Sequence, residues 1–148
     1  MASYQEHALD GASPVELVVA LYDGIIRFLH IAIEAVERED VTGRRAAVKR
    51  ALAILIHLQA RLRMDIGGRP AVVLSEFYAS MFALILQASV AASAERFEEV
   101  IGCVRTIRDA WRQVAADPSV AGGAVAKSPQ LTQPPPLAEP EQPARWTA

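Results

Sequence analysis

Cysteine is almost missing from this 148-residue chain: Cys103 stands alone, which rules out an internal disulfide and a thiolate zinc site. It lies within a periodic apolar segment, where the expectation is a small buried side chain. No histidine stands at helical spacing from it to act as the base of a catalytic thiol. Histidine is also scarce. Di-metal helical bundles need Glu-x-x-His, but Tyr4, Arg27 and Ile54 stand three residues before His7, His30 and His57. No metal and no cofactor are therefore expected, and no catalytic residue is assigned.

Aromatic residues make up only 6% of the chain against 52% apolar residues overall, dominated by Ala, Leu, Val and Ile, which favours helix packing over sheet. The near-balance of charge, formally -2, gives no case for nucleic acid or an anionic membrane. No apolar run reaches the roughly 18 residues of a membrane span. The opening Met1-Ala2-Ser3-Tyr4-Gln5-Glu6-His7 also lacks the layout of a signal peptide, so a cytosolic protein without membrane insertion is expected. The paired Gly67-Gly68 has neither the spacing nor the lysine of a phosphate-binding loop.

Proline is rare until Pro118 and frequent afterwards: seven of nine prolines lie from that point on, including Pro134-Pro135-Pro136. The expected organisation is a mobile N-terminal segment over residues 1–12, a helical domain over 13–117 and a disordered proline-rich tail over 118–148, with Trp146 as an isolated aromatic.

Within the domain, spacing by threes and fours predicts four amphipathic helices. The first begins at Ser13, with Pro14 at the first helical position and Glu16 placed to close a capping box. Its stripe is Leu17, Leu21, Ile25, Phe28, Ala32 and Val36. The second runs from about Gly43 through Val48, Ala51, Leu55, Leu58 and Leu62 to a glycine stop at Gly67-Gly68. The third carries Leu74, Phe77, Met81, Leu84, Ala88 and Ala91. The fourth follows a Ser93 cap and carries Phe97, Val100, Val104, Ile107, Trp111 and Val114. Short connections make neighbours antiparallel, giving an all-α, up-down four-helix bundle.

Surplus apolar residues matter for function. Val18, Tyr22, Ile26 and Leu29 on the first helix, and Leu52, Ile54 and Ile56 on the second, exceed what a bundle stripe needs. They imply either a wide core or a groove for a partner. The second helix and the turn after it collect Arg44, Arg45, Lys49, Arg50, Arg61, Arg63 and Arg69 around Asp65. That set reads as a solvated face or as a surface for an anionic partner, with no interleaved aromatics to suggest nucleic acid. On the fourth helix, Glu95, Glu98, Glu99 and Asp109 read as a solvated side.

Taken together, Ala12-Ser13-Pro14-x-Glu16-Leu17, Leu21-Tyr22-Asp23-Gly24 and Phe28-Leu29, with Tyr4-Gln5 upstream, resemble the flagellar secretion chaperone FliS family. The resemblance continues through Ile66-Gly67-Gly68, Leu74, Phe77-Tyr78, Phe97-Glu98-Glu99-Val100 and Asp109-Ala110-Trp111, covering about residues 4 to 115. It implies a non-enzymatic export chaperone that binds the C-terminal segment of flagellin, prevents its premature polymerisation and supports its delivery to the flagellar type III export gate. It further implies a monomer or weak dimer. The family's groove residues correspond to Tyr4, Leu9, Leu17, Leu21, Tyr22 and Ile25, with Tyr4 and Leu9 in a segment that covers the groove before the client arrives. Val18-Val19-Ala20 departs from the longer side chains common in the family, and the tail lies outside the resemblance. A histidine phosphotransfer domain using His30 or His57, and a purely structural adaptor, are the alternative readings.

Overall fold

The structure, a computed structural model, describes residues 13–116. They form four helices: α1 (Pro14–Glu37), α2 (Val41–Arg61), α3 (Gly68–Ala91) and α4 (Ala94–Ala116). The segment 1–12, with Tyr4 and Leu9, and the proline-rich stretch with Trp146 lie outside the described residues.

The capping chemistry expected from sequence is present on the first and the last helix. The Glu16 backbone N–H donates to Ser13 Oγ at 3.1 Å, and the Ser13 N–H donates to Glu16 Oε1 at 3.0 Å, completing the box ahead of Pro14. Ser93 caps α4 by accepting from the Arg96 N–H at 3.1 Å. Asp40 caps α2 by accepting from the Gly43 N–H at 2.9 Å, so α2 starts at Val41, slightly before the expected start at about Gly43.

The predicted glycine stop is displaced. Helix α2 ends at Arg61, where Leu62 turns extended with ψ 134°, and the glycines belong to the start of α3 instead. Gly67 precedes that helix and Gly68 takes a left-handed φ of +59° as it begins. The left-handed end of α3 falls on Ala92 at φ 48°, a non-glycine residue, before Ser93 restarts the chain.

Cross-helix contacts fix the topology. Arg44 near the start of α2 reaches Ser89 near the end of α3, while Gln59 late in α2 meets Ser75 early in α3. Asp23 of α1 pairs with Arg108 and Arg112 late in α4. Neighbours are therefore antiparallel, as expected of an up-down four-helix bundle. Helix α1 packs broadly against α2 and α4; α3 closes the square diagonally opposite and packs more lightly on the same two neighbours.

The core is built from Ile25, Leu29, Leu55, Ile85, Phe97, Val100 and Val104, each with at most 2% of its surface exposed, around a layer containing Tyr22, Tyr78 and Trp111. Burying each large side chain contributes roughly 1.5–3 kcal/mol before ordering costs. Of the surplus residues of α1, Tyr22, Ile26 and Leu29 are buried in a wide core, while Val18 is half-buried at its edge.

On α3 the buried track is Leu74, Tyr78, Met81, Ile85 and Ala88, rather than the predicted track through Phe77 and Leu84. Phe77 is half-buried and Leu84 is 41% exposed. Both tracks satisfy helical spacing, and a helix this uniformly apolar offers no polar face to choose between them. Cys103 is exposed, against the expectation of burial, because it lies outside the Val100, Ile101 and Val104 stripe.

Candidate functional site

The Leu21-Tyr22-Asp23-Gly24 run lies in the first half of α1, and its last three residues each address a different neighbour. Tyr22 points across the core to α3, where its hydroxyl meets that of Tyr78 at 2.7 Å, both side chains being buried. Asp23 points to α4 and pairs with Arg108 at 3.0 Å and Arg112 at 3.4 Å. Gly24 faces α2, where a Cβ would come within 3.0 Å of Ile54 Cδ1. Three consecutive residues thus tie α1 to the rest of the bundle. Leu21 is half-buried at the edge of the core.

The tyrosine pair is buried. Burial pushes the Tyr22 hydroxyl well above the usual tyrosine range, with a further push from Tyr78. Burial likewise pushes Tyr78 up to about 12, partly opposed by its hydrogen bond with Tyr22. The Trp111 ring packs edge-on against Tyr22 with centroids 6.5 Å apart. Its indole N–H opposes the upward push on Tyr22, yet it is buried without an acceptor at hydrogen-bond geometry among the described residues.

Tyr78 also forms part of two apolar hollows. The first, of about 220 Å³, opens at the end of the bundle between the start of α1, the α2–α3 turn and the late part of α4. Pro14, Val18, Leu62, Ile66, Leu74 and Trp111 are among its walls, and Arg61 and Arg63 stand at its rim. The second, of about 440 Å³, is a groove between α2 and α3 lined by Leu55, Ile56, Gln59, Ala60, Ala79 and Phe82 as well as Tyr78. Ile66 is 70% exposed beside the first hollow and Ile56 58% exposed in the second. Further along α3, Leu86 and Val90 are exposed too, Val90 at 86%.

Most of the exposed large apolar side chains therefore lie on α2, the α2–α3 turn and α3, and α3 is the helix with the lightest packing. Residues 77–94 contain no charged side chain. By length and composition α3 is apolar enough to cross a membrane, which corrects the expectation that no segment reaches that limit. In the bundle it forms one wall, with Tyr78, Met81 and Ile85 turned into the core.

Of the sequence-derived groove residues, Tyr22 and Ile25 are fully buried, while Leu17 and Leu21 are half-buried on α1. None of the four lines either hollow; their neighbours Pro14 and Val18 do. Sequence reasoning passed over Phe82, Ala79, Leu62 and Ile66 as groove residues. The uncharged run 77–94 is the signal that could have found the α3 members. Among the described residues no group of His, Cys, Asp and Glu is placed to hold a metal ion. His30 and His57 are exposed on separate helices.

The sequence is similar to known proteins over the helical region. A family model described as flagellar protein FliS matches residues 1–118. The flagellar secretion chaperone FliS of Campylobacter jejuni is 34% identical over 119 residues, covering 80% of this chain and 93% of that protein. The protein of the same name from Salmonella typhimurium is 36% identical over 111 residues, covering 74% of this chain and 82% of its own length. Its Bacillus subtilis namesake is 29% identical over 111 residues, or 75% and 82% of the two chains. With a family model matching across the entire bundle, and relatives above 30% identity that span most of both chains, this chain belongs to the FliS family of flagellar secretion chaperones.

Proposed function

We propose that this chain is a cytosolic export chaperone whose client is the C-terminal segment of flagellin, which it holds in an unpolymerised state for delivery to the flagellar export gate. The observation that carries this reading is the pair of apolar hollows on either side of Tyr78, continued by the exposed face of α3. A client segment with an apolar stripe would otherwise bury that stripe against another flagellin subunit. Laid against α2 and α3, it buries the same stripe on the chaperone. The affinity must exceed the ordering cost of a disordered client, which typically takes about 2–5 kcal/mol of the gross interaction.

In this reading Tyr22 and Ile25 act from inside: they hold α1 against the bundle and set the position of Tyr78, the wall shared by both hollows. Leu17 and Leu21 flank the same end of the bundle, and Tyr4 and Leu9, carried over from the family resemblance, lie outside the described residues. Titration of the purified chain with a peptide spanning the flagellin C-terminal segment tests the proposal. Saturable binding is expected, weakened at least about tenfold by Ile56→Asp or Phe82→Asp, a loss on the scale of one interface anchor. Absence of binding to the unmodified chain sinks it.

A further inference from the structure

The α2–α3 surface is polarised in charge as well as in hydropathy. Between Val41 and Ala91 the bases are Arg44, Arg45, Lys49, Arg50, Arg61, Arg63 and Arg69, against Asp65 and Glu76. Helix α2 itself carries no acid. Four of its five bases stand in its N-terminal half, and Arg44, with Arg45 beside it, closes the first turn, where the positive end of the helix dipole disfavours a cation. Among the described residues none of these four lies within salt-bridge distance of a carboxylate; Arg44 donates instead to Ser89 Oγ at 3.3 Å. The fold thus places four like charges on one half of a helix without carboxylates to pair them.

Their location supplies the reason. On α3, Ala79, Phe82, Leu86 and Val90 follow helical spacing from the groove towards the end of the helix, a track of about 16 Å at 1.5 Å per residue. On the antiparallel α2, Ala60, Ile56, Lys49 and Arg45 lie on the corresponding stripe in the opposite order. An apolar track on one wall therefore runs beside a border that begins apolar and ends basic.

We infer that the occupant of this track is an amphipathic helix carrying acidic residues along the flank that faces α2, with Arg45 and Lys49 selecting its charge and orientation. The inference rests on the client-binding function proposed above and adds which chemistry the client must present. The concave groove around Ile56 and Phe82 receives side chains, which favours a protein segment over the flat surface of a bilayer. Paired charges at such a rim chiefly raise the association rate and reject partners of the wrong sign.

The test uses two designed helical peptides with one apolar face, flanked by Glu in one and by Lys in the other, alongside the flagellin C-terminal peptide. The acidic peptide is expected to bind the full chain about tenfold or more tightly than the basic one, and to weaken as salt rises from about 50 to about 500 mM. The double substitution Arg45→Glu/Lys49→Glu, on exposed positions, is expected to reverse the preference, whereas Glu98→Lys/Glu99→Lys on α4 leaves it in place. Equal binding of both peptides, or a preference untouched by the α2 reversal, overturns the inference. Flagellin binding that ignores salt and the α2 reversal overturns it while leaving the proposed function standing. Selective binding of the acidic peptide without flagellin binding does the opposite. Co-sedimentation with anionic vesicles that the acidic peptide cannot displace would also overturn it.

Discussion

The hydroxyls of Tyr22 on α1 and Tyr78 on α3 meet at 2.7 Å in the middle of the bundle, joining two diagonal helices that otherwise barely touch. Each hydroxyl is the hydrogen-bond partner of the other in a buried setting. Tyr78→Phe alone leaves the Tyr22 hydroxyl buried without that partner, and should cost about 1–3 kcal/mol of unfolding free energy. Tyr22→Phe/Tyr78→Phe removes both polar groups and keeps the rings, so it should recover most of the loss. Urea unfolding of the two single variants and the double variant measures the coupling. A strictly additive double variant would show that the pair is not a unit.

The same pair makes a pH prediction. The neutral form of Tyr78 is favoured by burial, which pushes it to about 12 from an ordinary value near 10. The stabilisation is fully present below about pH 10; above it the unfolded chain loses the tyrosine proton first, and stability falls until the folded state titrates near pH 12. The decline should total about 3 kcal/mol from this group, with Tyr22 acting in the same direction. Thermal melts between about pH 9 and about pH 12 should show a steeper loss for the natural chain than for the double phenylalanine variant. Parallel slopes would assign the alkaline sensitivity elsewhere.

Asp23 offers a second dissection of the same helical turn. Arg108 keeps only 15% of its side-chain surface exposed, yet has two carboxylate partners, Asp23 and Asp109, each at 3.0 Å. Asp23→Ala removes one and leaves the other, and Asp23 is itself 42% exposed, so the expected cost is about 1 kcal/mol rather than the several that follow from stranding a buried charge. Arg112→Ala, at an exposed position with a 3.4 Å contact, should cost less than half of that. If the two variants are equally destabilised, the inner ion pair is not what fastens α1 to α4.

How much of the fold is legible in the sequence follows from where the chain carries polarity. Helix α1 announces itself because Ser13, Pro14 and Glu16 perform a local task, and α4 because acidic and basic residues mark its outer side. The face of α3 is illegible for the opposite reason: with no charge from Phe77 to Ala94, nothing local says that Tyr78 rather than Phe77 turns inward. The inward Tyr78 meets Tyr22, 56 positions away, through a hydrogen bond that spacing cannot reveal. The hollows are legible only in part. The surplus apolar residues supply one wall of each, Val18 of α1 in the first and Ile56 of α2 in the second, while Tyr22, Ile26 and Leu29 are spent in the core. Helix α3 is packed more lightly, and its own surplus stays uncovered.

Two glycines give opposite predictions from the same substitution. At Gly67 a Cβ would sit 2.6 Å from the Arg63 carbonyl oxygen and 2.7 Å from the Ala71 Cβ, both held by backbone, so the turn into α3 must shift to admit it. Gly67→Ala should therefore destabilise by about 1–3 kcal/mol, the usual range for overpacking. Because Gly67 and Ile66 shape the mouth of the end hollow, the shift should also weaken client binding. Gly102 is exposed inside α4, and a Cβ there would meet nothing within 4 Å, so Ala is admitted without obstacle. It restricts the unfolded chain and should stabilise by about 0.5–1 kcal/mol. Paired denaturation curves and peptide titrations on the two variants read both effects, and a Gly67→Ala chain that keeps its stability while losing client would locate the turn in the binding surface rather than in the fold.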